Sequence, residues 1–277
     1  MKQPDIKLIA LDLDGTLLNS RKELSAENAE ALARAAARGI EIVPATGRFF
    51  TGMPERIRGL PFVHYTITIN GAAVYDVRRE TDIARSELPL MQAVEIMRYL
   101  DTLPVIYDCY MDSWGWMTRA LQQKAADFAP NEHCLRMLLH LRTPVDELKA
   151  FVLEKGRGIQ KIQLFTKEPA LQQALLQQLQ ERFDAIVVSS SLPRNIEINQ
   201  AGANKGAALD TLAAYLGIDS AQTMAVGDEL NDLSMIRAAG VGVAMGNACP
   251  ALKQAADFVT ADCDESGVAS AIERFCL

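Results

Sequence analysis

Residues 7–11 read Lys-Leu-Ile-Ala-Leu, a nearly unbroken apolar run that stops abruptly at Asp12-Leu13-Asp14-Gly15-Thr16. A half-wet strand alternates polar and apolar residues. A run without alternation points to burial on both faces, as in the central strand of a parallel sheet. Parallel strands need crossovers, and the next segment supplies one. Ser25 is a suitable N-cap with Glu27 in the first turn, and an alanine-rich stretch continues to Gly39, a suitable C′ residue. A short apolar strand at 40–43 feeds Thr46-Gly47-Arg48, and the segment 65–69 feeds Asn70-Gly71-Ala72. This order, βαβ and its continuation, predicts a doubly wound, mostly parallel α/β core.

From about residue 82 to 190 helices alternate with polar-faced strands, which predicts an inserted α+β domain. Within it the glutamine-rich stretch 171–180 carries leucines at helical spacing and reads as an amphipathic helix. Beyond it the first pattern returns, with helices at 205–216 and 230–238 and strands at 224–226, 241–244 and 258–260. The expected organisation is therefore a discontinuous core, residues 1–82 and 190–277, interrupted by an α/β domain over 83–189.

The chain has 277 residues, 49% of them hydrophobic, enough for a sizeable core. Its formal net charge is −7, and no Lys/Arg cluster forms a polyanion footprint, so nucleic acid is not an expected partner. A small anion still is, because a few fixed cations and a metal set the field inside a cleft whatever the net charge. The first apolar run is too short for a signal peptide, and nowhere do roughly 18 consecutive apolar residues form a membrane span. The expected location is cytoplasmic. Five scattered cysteines and three histidines show no metal or disulfide spacing.

Three predicted strands end in polar clusters: Asp12 to Thr16, Thr46-Gly47-Arg48, and Gly227-Asp228-Glu229-Leu230-Asn231-Asp232. Ligands of open parallel sheets bind beyond the carboxyl ends of the strands, where such clusters meet. Aspartates gathered in one cleft repel one another unless a hard cation sits among them, and carboxylate oxygens suit Mg²⁺.

Taken together these motifs resemble the haloacid dehalogenase-like hydrolase superfamily, and within it the Cof-type sugar-phosphatase branch. The resemblance spans essentially the whole chain. It rests on Asp12-x-Asp14-Gly15-Thr16, Thr46-Gly47-Arg48, Asn70-Gly71-Ala72, Gly202-x-x-Lys205-Gly206, Gly227-Asp228-x-x-Asn231-Asp232 and Ala244-Met245-Gly246-Asn247-Ala248. One departure is Asn204, at a position often held by serine or aspartate. The resemblance implies a Rossmann-like core with a specificity-giving cap, and a Mg²⁺-dependent phosphatase acting on small phosphorylated metabolites, sugar phosphates among them.

In that frame Asp12 is the expected nucleophile, giving an aspartyl-phosphate, and Asp14 the general acid and base. The expected metal ligands are Asp12, the backbone carbonyl of Asp14, and Asp228, with Asp232 and Glu229 in support through water or neighbouring contacts. Thr46, the amides of Leu13 and Gly47, Lys205 and Asn231 are the expected donors to phosphoryl oxygens. Thr16 is expected to fix its own turn. Arg48 has two even readings, reaching substrate or pinning its loop, and Asn70 is similar.

Blander readings stand beside these. Asp-x-Asp-Gly alone is more often a turn than a catalytic site, and it is the other clusters in order that favour chemistry. Lys205 as a mere solvated helix-start lysine is poorly placed against the helix dipole, which suggests an anion nearby. The glycines at 240–246 miss dinucleotide-loop spacing, and 203–206 lack the pattern of a P-loop. Trp114 and Trp116 alternate on a strand and fit a packed face better than a substrate platform. The competing functions are a phosphotransferase or mutase sharing the aspartyl-phosphate, and a catalytically silent phosphometabolite sensor. The presence of Asp12, Asp14, Lys205 and Asp228 disfavours the sensor.

Overall fold

The computed structural model describes residues 4–190 and 192–277. Two compact units emerge: one comprises the chain through Arg48, Met53–Arg85 and Asn204–Leu277, the other Phe49–Gly52 and Ser86–Ala203.

The first unit begins with β1 (Leu8–Leu11), whose four side chains are all buried, as the lack of alternation requires. Helix α1 (Ala26–Ala37) starts where Ser25 accepts from the Asn28 amide at 3.2 Å, and Gly39 (φ 81°) lies just beyond its end. Next come β2 (Glu41–Pro44), the short α2 (Glu55–Arg58), β3 (Tyr65–Thr68), β4 (Ala73–Asp76) and β5 (Thr81–Arg85). Strand β3 does not simply continue the parallel sheet. Ile69, Asn70 and Gly71 all have left-handed backbone (φ 54°, 55° and 93°) and turn the chain straight back into β4. A tight return permits only antiparallel pairing, so β3-β4-β5 form a separate three-stranded sheet. A single parallel bridge, Ala45 to Ile67, joins β3 to the end of β2.

In chain order the second unit contains α3 (Leu90–Leu100), β6 (Val105–Met111), β7 (Trp114–Thr118), α4 (Arg119–Gln122), α5 (Ala125–Phe128), α6 (Glu132–His140), β8 (Thr143–Val145), α7 (Leu148–Lys155), β9 (Lys161–Thr166), α8 (Pro169–Arg182), β10 (Ile186–Ser189) and β11 (Asn195–Gln200). Its sheet runs β10-β11-β9-β6-β7-β8, antiparallel except for β7–β8. One face, with Tyr107, Cys109, Leu164 and Ile198, forms an apolar core with α3, α7 and α8. In α8, Leu175 and Leu179 are buried, while Gln172 and Gln180 donate to the carbonyls of Asn195 and Ile186, so the glutamines staple the helix to the sheet edge. The tryptophans part company: Trp116 packs on Phe151 with centroids 4.5 Å apart, and Trp114 is exposed.

The other face carries buried charge. Arg142 Nε lies 3.0 Å from Asp108 Oδ1, and its Nη2 donates to the Tyr110 hydroxyl at 2.7 Å. Lys161 Nζ lies 3.1 Å from Glu197. Removing one partner of a buried pair strands the other charge. Arg142→Met is expected to cost about 3–5 kcal/mol in urea unfolding; a loss under 1 kcal/mol would show that Asp108 finds solvent or another partner.

The chain then re-enters the first unit through α9 (Lys205–Leu216), β12 (Thr223–Gly227), α10 (Leu233–Ala238), β13 (Val241–Ala244), α11 (Pro250–Ala255), β14 (Phe258–Val259) and α12 (Gly267–Phe275). The single helix expected over 230–238 is instead a tight 3₁₀ turn over Leu230–Asp232 followed by α10. The parallel sheet has the order β14-β13-β12-β1-β2. Its register sets Leu11 opposite both Val226 and Pro44, so β1, β2 and β12 end together. Among the described residues no helix is long and apolar enough to cross a membrane.

Candidate active site

That common edge collects the polar clusters. Asp12 follows β1 directly, its amide donating to Val226 O at 3.0 Å, and is 7% exposed. The next residues loop tightly, with the Leu17 amide on Asp12 O and the Leu18 amide on Leu13 O. Gly15 serves twice in this loop: its φ is 95°, and a Cβ there would overlap the Asp228 carboxylate. Thr16 was expected to serve its own turn, and its hydroxyl does not. Its hydroxyl donates to Asp228 Oδ1 at 2.8 Å, tying the first loop to the one after β12.

Lys205 is the pivot. Its side chain is fully buried, and Nζ donates to Asp12 Oδ1 and to Asp232 Oδ1, each at 2.6 Å. The ammonium stands at the first residue of α9, against the helix dipole, and these two carboxylates offset that placement. Asn204 caps α9 by accepting from the Ala207 amide at 2.9 Å. Serine and aspartate cap equally well, so the departure at this position costs nothing. The second oxygen of Asp232 accepts from the amides of Asp228 and Glu229 at 2.9 and 3.1 Å, shaping the loop, while the Glu229 side chain is exposed.

Oxygen atoms of Asp12, Asp228 and Asp232 come within 4.8 Å of one another. With all three carboxylates ionised, one ammonium would leave two excess negative charges in a buried space. Burial first, and then the Asp232 and Asp228 charges, push Asp12 up to about 8 despite Lys205. Burial likewise raises Asp228 to about 6, against the pull of the Thr16 hydrogen bond. Lys205 moves the other way from what burial dictates, because Asp12 and Asp232 hold its proton. A divalent cation would cancel the excess charge, and an all-oxygen donor set suits a hard one.

Asp14 differs from Asp12 in surroundings and state. Arg48 forks it, Nε to Oδ2 at 2.8 Å and Nη2 to Oδ1 at 2.9 Å, and Lys22 Nζ stands 3.1 Å from Oδ1. Burial would raise its pKa, but these cations bring it down to about 2. Arg48 therefore pins the loop here. Lys22 was not foreseen; nothing in the local sequence signals its approach.

After β2, the Thr46 amide donates to Ile67 O and the Asn70 amide to Thr46 O, and Thr46 Oγ1 accepts from the Arg48 amide at 3.2 Å. Asn70, in left-handed conformation, accepts from Asn231 Nδ2 at 3.2 Å; a Cβ on Gly47 would stand 3.0 Å from the same Asn70 oxygen. One carboxamide thus links the loops holding Gly47 and Asn231. Asn247, whose motif had no assigned task, donates to Gly15 O at 2.8 Å and so braces the first loop. Gly71 (φ 93°) leaves no room for a Cβ against the Asn204 carbonyl. Gly71→Ala should lower the melting temperature by several degrees and impair the site, through roughly 2 kcal/mol or more of strain; an unchanged melt would contradict this close approach.

A family model for haloacid dehalogenase-like hydrolases matches residues 9–272. The chain belongs to that family. With the family comes the class of enzyme, a phosphatase. This haloacid dehalogenase-like hydrolase is 32% identical to a 5-amino-6-(5-phospho-D-ribitylamino)uracil phosphatase of Bacillus subtilis, over 99% of this chain and 97% of the relative. It is 28% identical to a pyridoxal phosphate phosphatase of Escherichia coli, over 96% and 97%. Among solved structures it resembles a subclass IIB sugar phosphatase of the family, with a TM-score of 0.78, 25% identity, and coverage of 97% and 98%.

Proposed function

We propose that this hydrolase removes phosphate from small phosphomonoesters, sugar phosphates in particular, in a Mg²⁺-dependent reaction that passes through an aspartyl-phosphate on Asp12. The observation that carries the reading is the buried cluster of Asp12, Asp228 and Asp232 around Lys205, more carboxylates than one ammonium can balance, at the carboxyl edge of the sheet. Asp12, Asp228 and the backbone carbonyl of Asp14 would hold the cation. Asp232, with both oxygens committed to Lys205 and the loop amides, would support it indirectly. The cation supplies charge neutralisation, relieving the repulsion between a carboxylate and a phosphate dianion.

Lys205 fixes one oxygen of Asp12, which leaves the carboxylate oriented for in-line attack on phosphorus. The new bond to Asp12 forms as the ester oxygen leaves, taking a proton from Asp14. Asp14 then takes a proton from water, whose oxygen attacks phosphorus, frees Asp12 and releases inorganic phosphate. Held by Arg48 and Lys22, Asp14 is ionised at neutral pH, the state suited to this second step. Serving as acid requires those cations to turn from it, towards an anionic substrate. Thr46, Lys205, Asn231 and the amides of Leu13 and Gly47 donate to the equatorial oxygens, where transition-state charge resides. The inserted unit is the cap that sets specificity. The named relatives act on chemically different compounds, so only the phosphoryl group is common to them.

The metal assignment predicts a pH-dependent stabilisation. Asp12 and Asp228 are raised in the folded state, so their stabilising contribution is full below the unfolded value of 3.8 and is lost as pH rises through about 6 and 8. Mg²⁺ replaces those protons. At one fixed Mg²⁺ concentration, a hundredfold above the Kd at pH 8, it should add about 2.7 kcal/mol at pH 8, roughly 5–10 °C in melting temperature, and less at pH 5.5, where protons compete for the same carboxylates. A shift that EDTA does not reverse, or one equal at both pH values, would count against the site.

A further inference from the structure

Strands β2 and β12 flank β1 on either side, so their ends stand two strand spacings apart, about 10 Å. The proposed donors to one phosphoryl group are divided between the loops that leave those ends: Thr46 and Gly47 follow β2, and Asn231 follows β12. The phosphoryl group is much narrower than that gap, so the two loops must be held together over it. Asn70 comes from neither loop and touches both. Its amide donates to Thr46 O at 3.0 Å. Its carboxamide packs against Gly47, where a Cβ would stand 3.0 Å from Oδ1, and the same Oδ1 accepts from Asn231 Nδ2 at 3.2 Å.

The backbone that presents this carboxamide is strained. Ile69, Asn70 and Gly71 are left-handed in succession, and for a β-branched residue such as Ile69 that conformation is an outlier. Strain of this kind, of order 1–3 kcal/mol per residue, persists only where the surroundings enforce it. Here they do: Ile69 is fully buried, and Gly71 abuts the Asn204 carbonyl just before Lys205. What the turn secures is the direction of the Asn70 side chain. A carboxamide nitrogen carries two protons. With one proton of Asn231 Nδ2 on Asn70, the other is left for a phosphoryl oxygen. The same bond sets which end of the Asn231 carboxamide is nitrogen, because reversing it would set oxygen against oxygen.

We propose that Asn70 is a positioning residue for the phosphoryl transfer: it fixes the span between the β2 and β12 loops and orients Asn231 so that an Nδ2 proton meets the phosphoryl group. The proposal rests on the reading of Thr46, Gly47 and Asn231 as phosphoryl donors. Losing one such donor typically costs roughly 10²–10³-fold in rate, and misplacing it by about 1 Å up to roughly a hundredfold.

The test uses full-length Asn70→Gly, Asn231→Ala and the double variant, with an aryl phosphate and Mg²⁺. Glycine takes left-handed backbone readily, so Asn70→Gly removes the carboxamide and leaves the turn. It should lower kcat roughly ten- to a hundredfold with little change in KM. Its loss and that of Asn231→Ala should not multiply in the double variant, because the first acts largely through Asn231. Wild-type kcat in a folded Asn70→Gly protein, or losses that multiply, would overturn the proposal. If the wild type cleaves no phosphoester, or Asn231→Ala is fully active, the reading of the donors fails and the proposal falls with it. Nitrogen-15 NMR judges the tie without turnover, the Asn231 side-chain signals being those that vanish in Asn231→Ala. In the wild type one Nδ2 proton should exchange with water more slowly than the other, and in Asn70→Gly the two should exchange alike. Equal exchange in the wild type would overturn the tie by itself, whether or not Asn70→Gly folds.

Discussion

Asp12→Asn is expected to lower phosphate release by roughly a thousandfold or more, with the fold intact. The amide keeps the shape of the carboxylate and can still accept from Lys205, but it is a far poorer nucleophile. Its effect on stability should run opposite to its effect on rate. Wild-type Asp12 is raised to about 8, so at pH 8 and without metal, folding confines a carboxylate among others that repel it. Removing that charge should leave the metal-free melting temperature at pH 8 unchanged or higher, and should shrink the stabilisation by Mg²⁺. Thermal melts with and without Mg²⁺, beside a phosphate-release assay, check both parts. A variant that is inactive only because it unfolds would contradict the account, as would one that retains a tenth of the activity.

Lys205→Met should damage stability and activity together. The methionine fills the volume but leaves Asp12 and Asp232 buried without their shared ammonium, a situation that typically costs about 3–5 kcal/mol. The cost should be smaller at pH 5.5 than at pH 8, because protonation of Asp12 removes one of the stranded charges. Activity should fall roughly 10²–10³-fold through loss of a fixed positive charge at the phosphoryl oxygens. Urea unfolding at the two pH values tests the first part. A pH-independent loss would mean that the carboxylates are solvated in the variant.

Much of this was legible in the chain because it depends on local pattern. The unbroken apolar run at 8–11 marked a strand buried on both faces, and all four of its side chains are buried. The awkward cation at the start of α9 pointed to a nearby anion, and two carboxylates lie against it. The illegible features depend on partners far away in sequence. Thr16 was read as serving its own turn because its bond to Asp228 spans 212 positions, beyond any local signal. Lys22 on Asp14, Asn247 on Gly15 and the Asn70 bridge to Asn231 are of the same kind. Strand β3 follows the βαβ unit in chain order, which by itself places it as a continuation of the parallel sheet. What decides its pairing is the left-handed backbone at Ile69 and Asn70, and isoleucine gives no warning of a positive φ.

The central claim is that phosphate passes through Asp12, and the most direct test is to catch it there. Wild type and Asp12→Asn would be mixed with a sugar phosphate labelled in its phosphoryl group, with Mg²⁺, and quenched in acid within the first turnover. The account predicts a hydroxylamine-sensitive label on the wild-type peptide that contains Asp12 and none on the variant. Phosphate release at the normal rate with no label on any peptide, or a label that persists in Asp12→Asn, would contradict it.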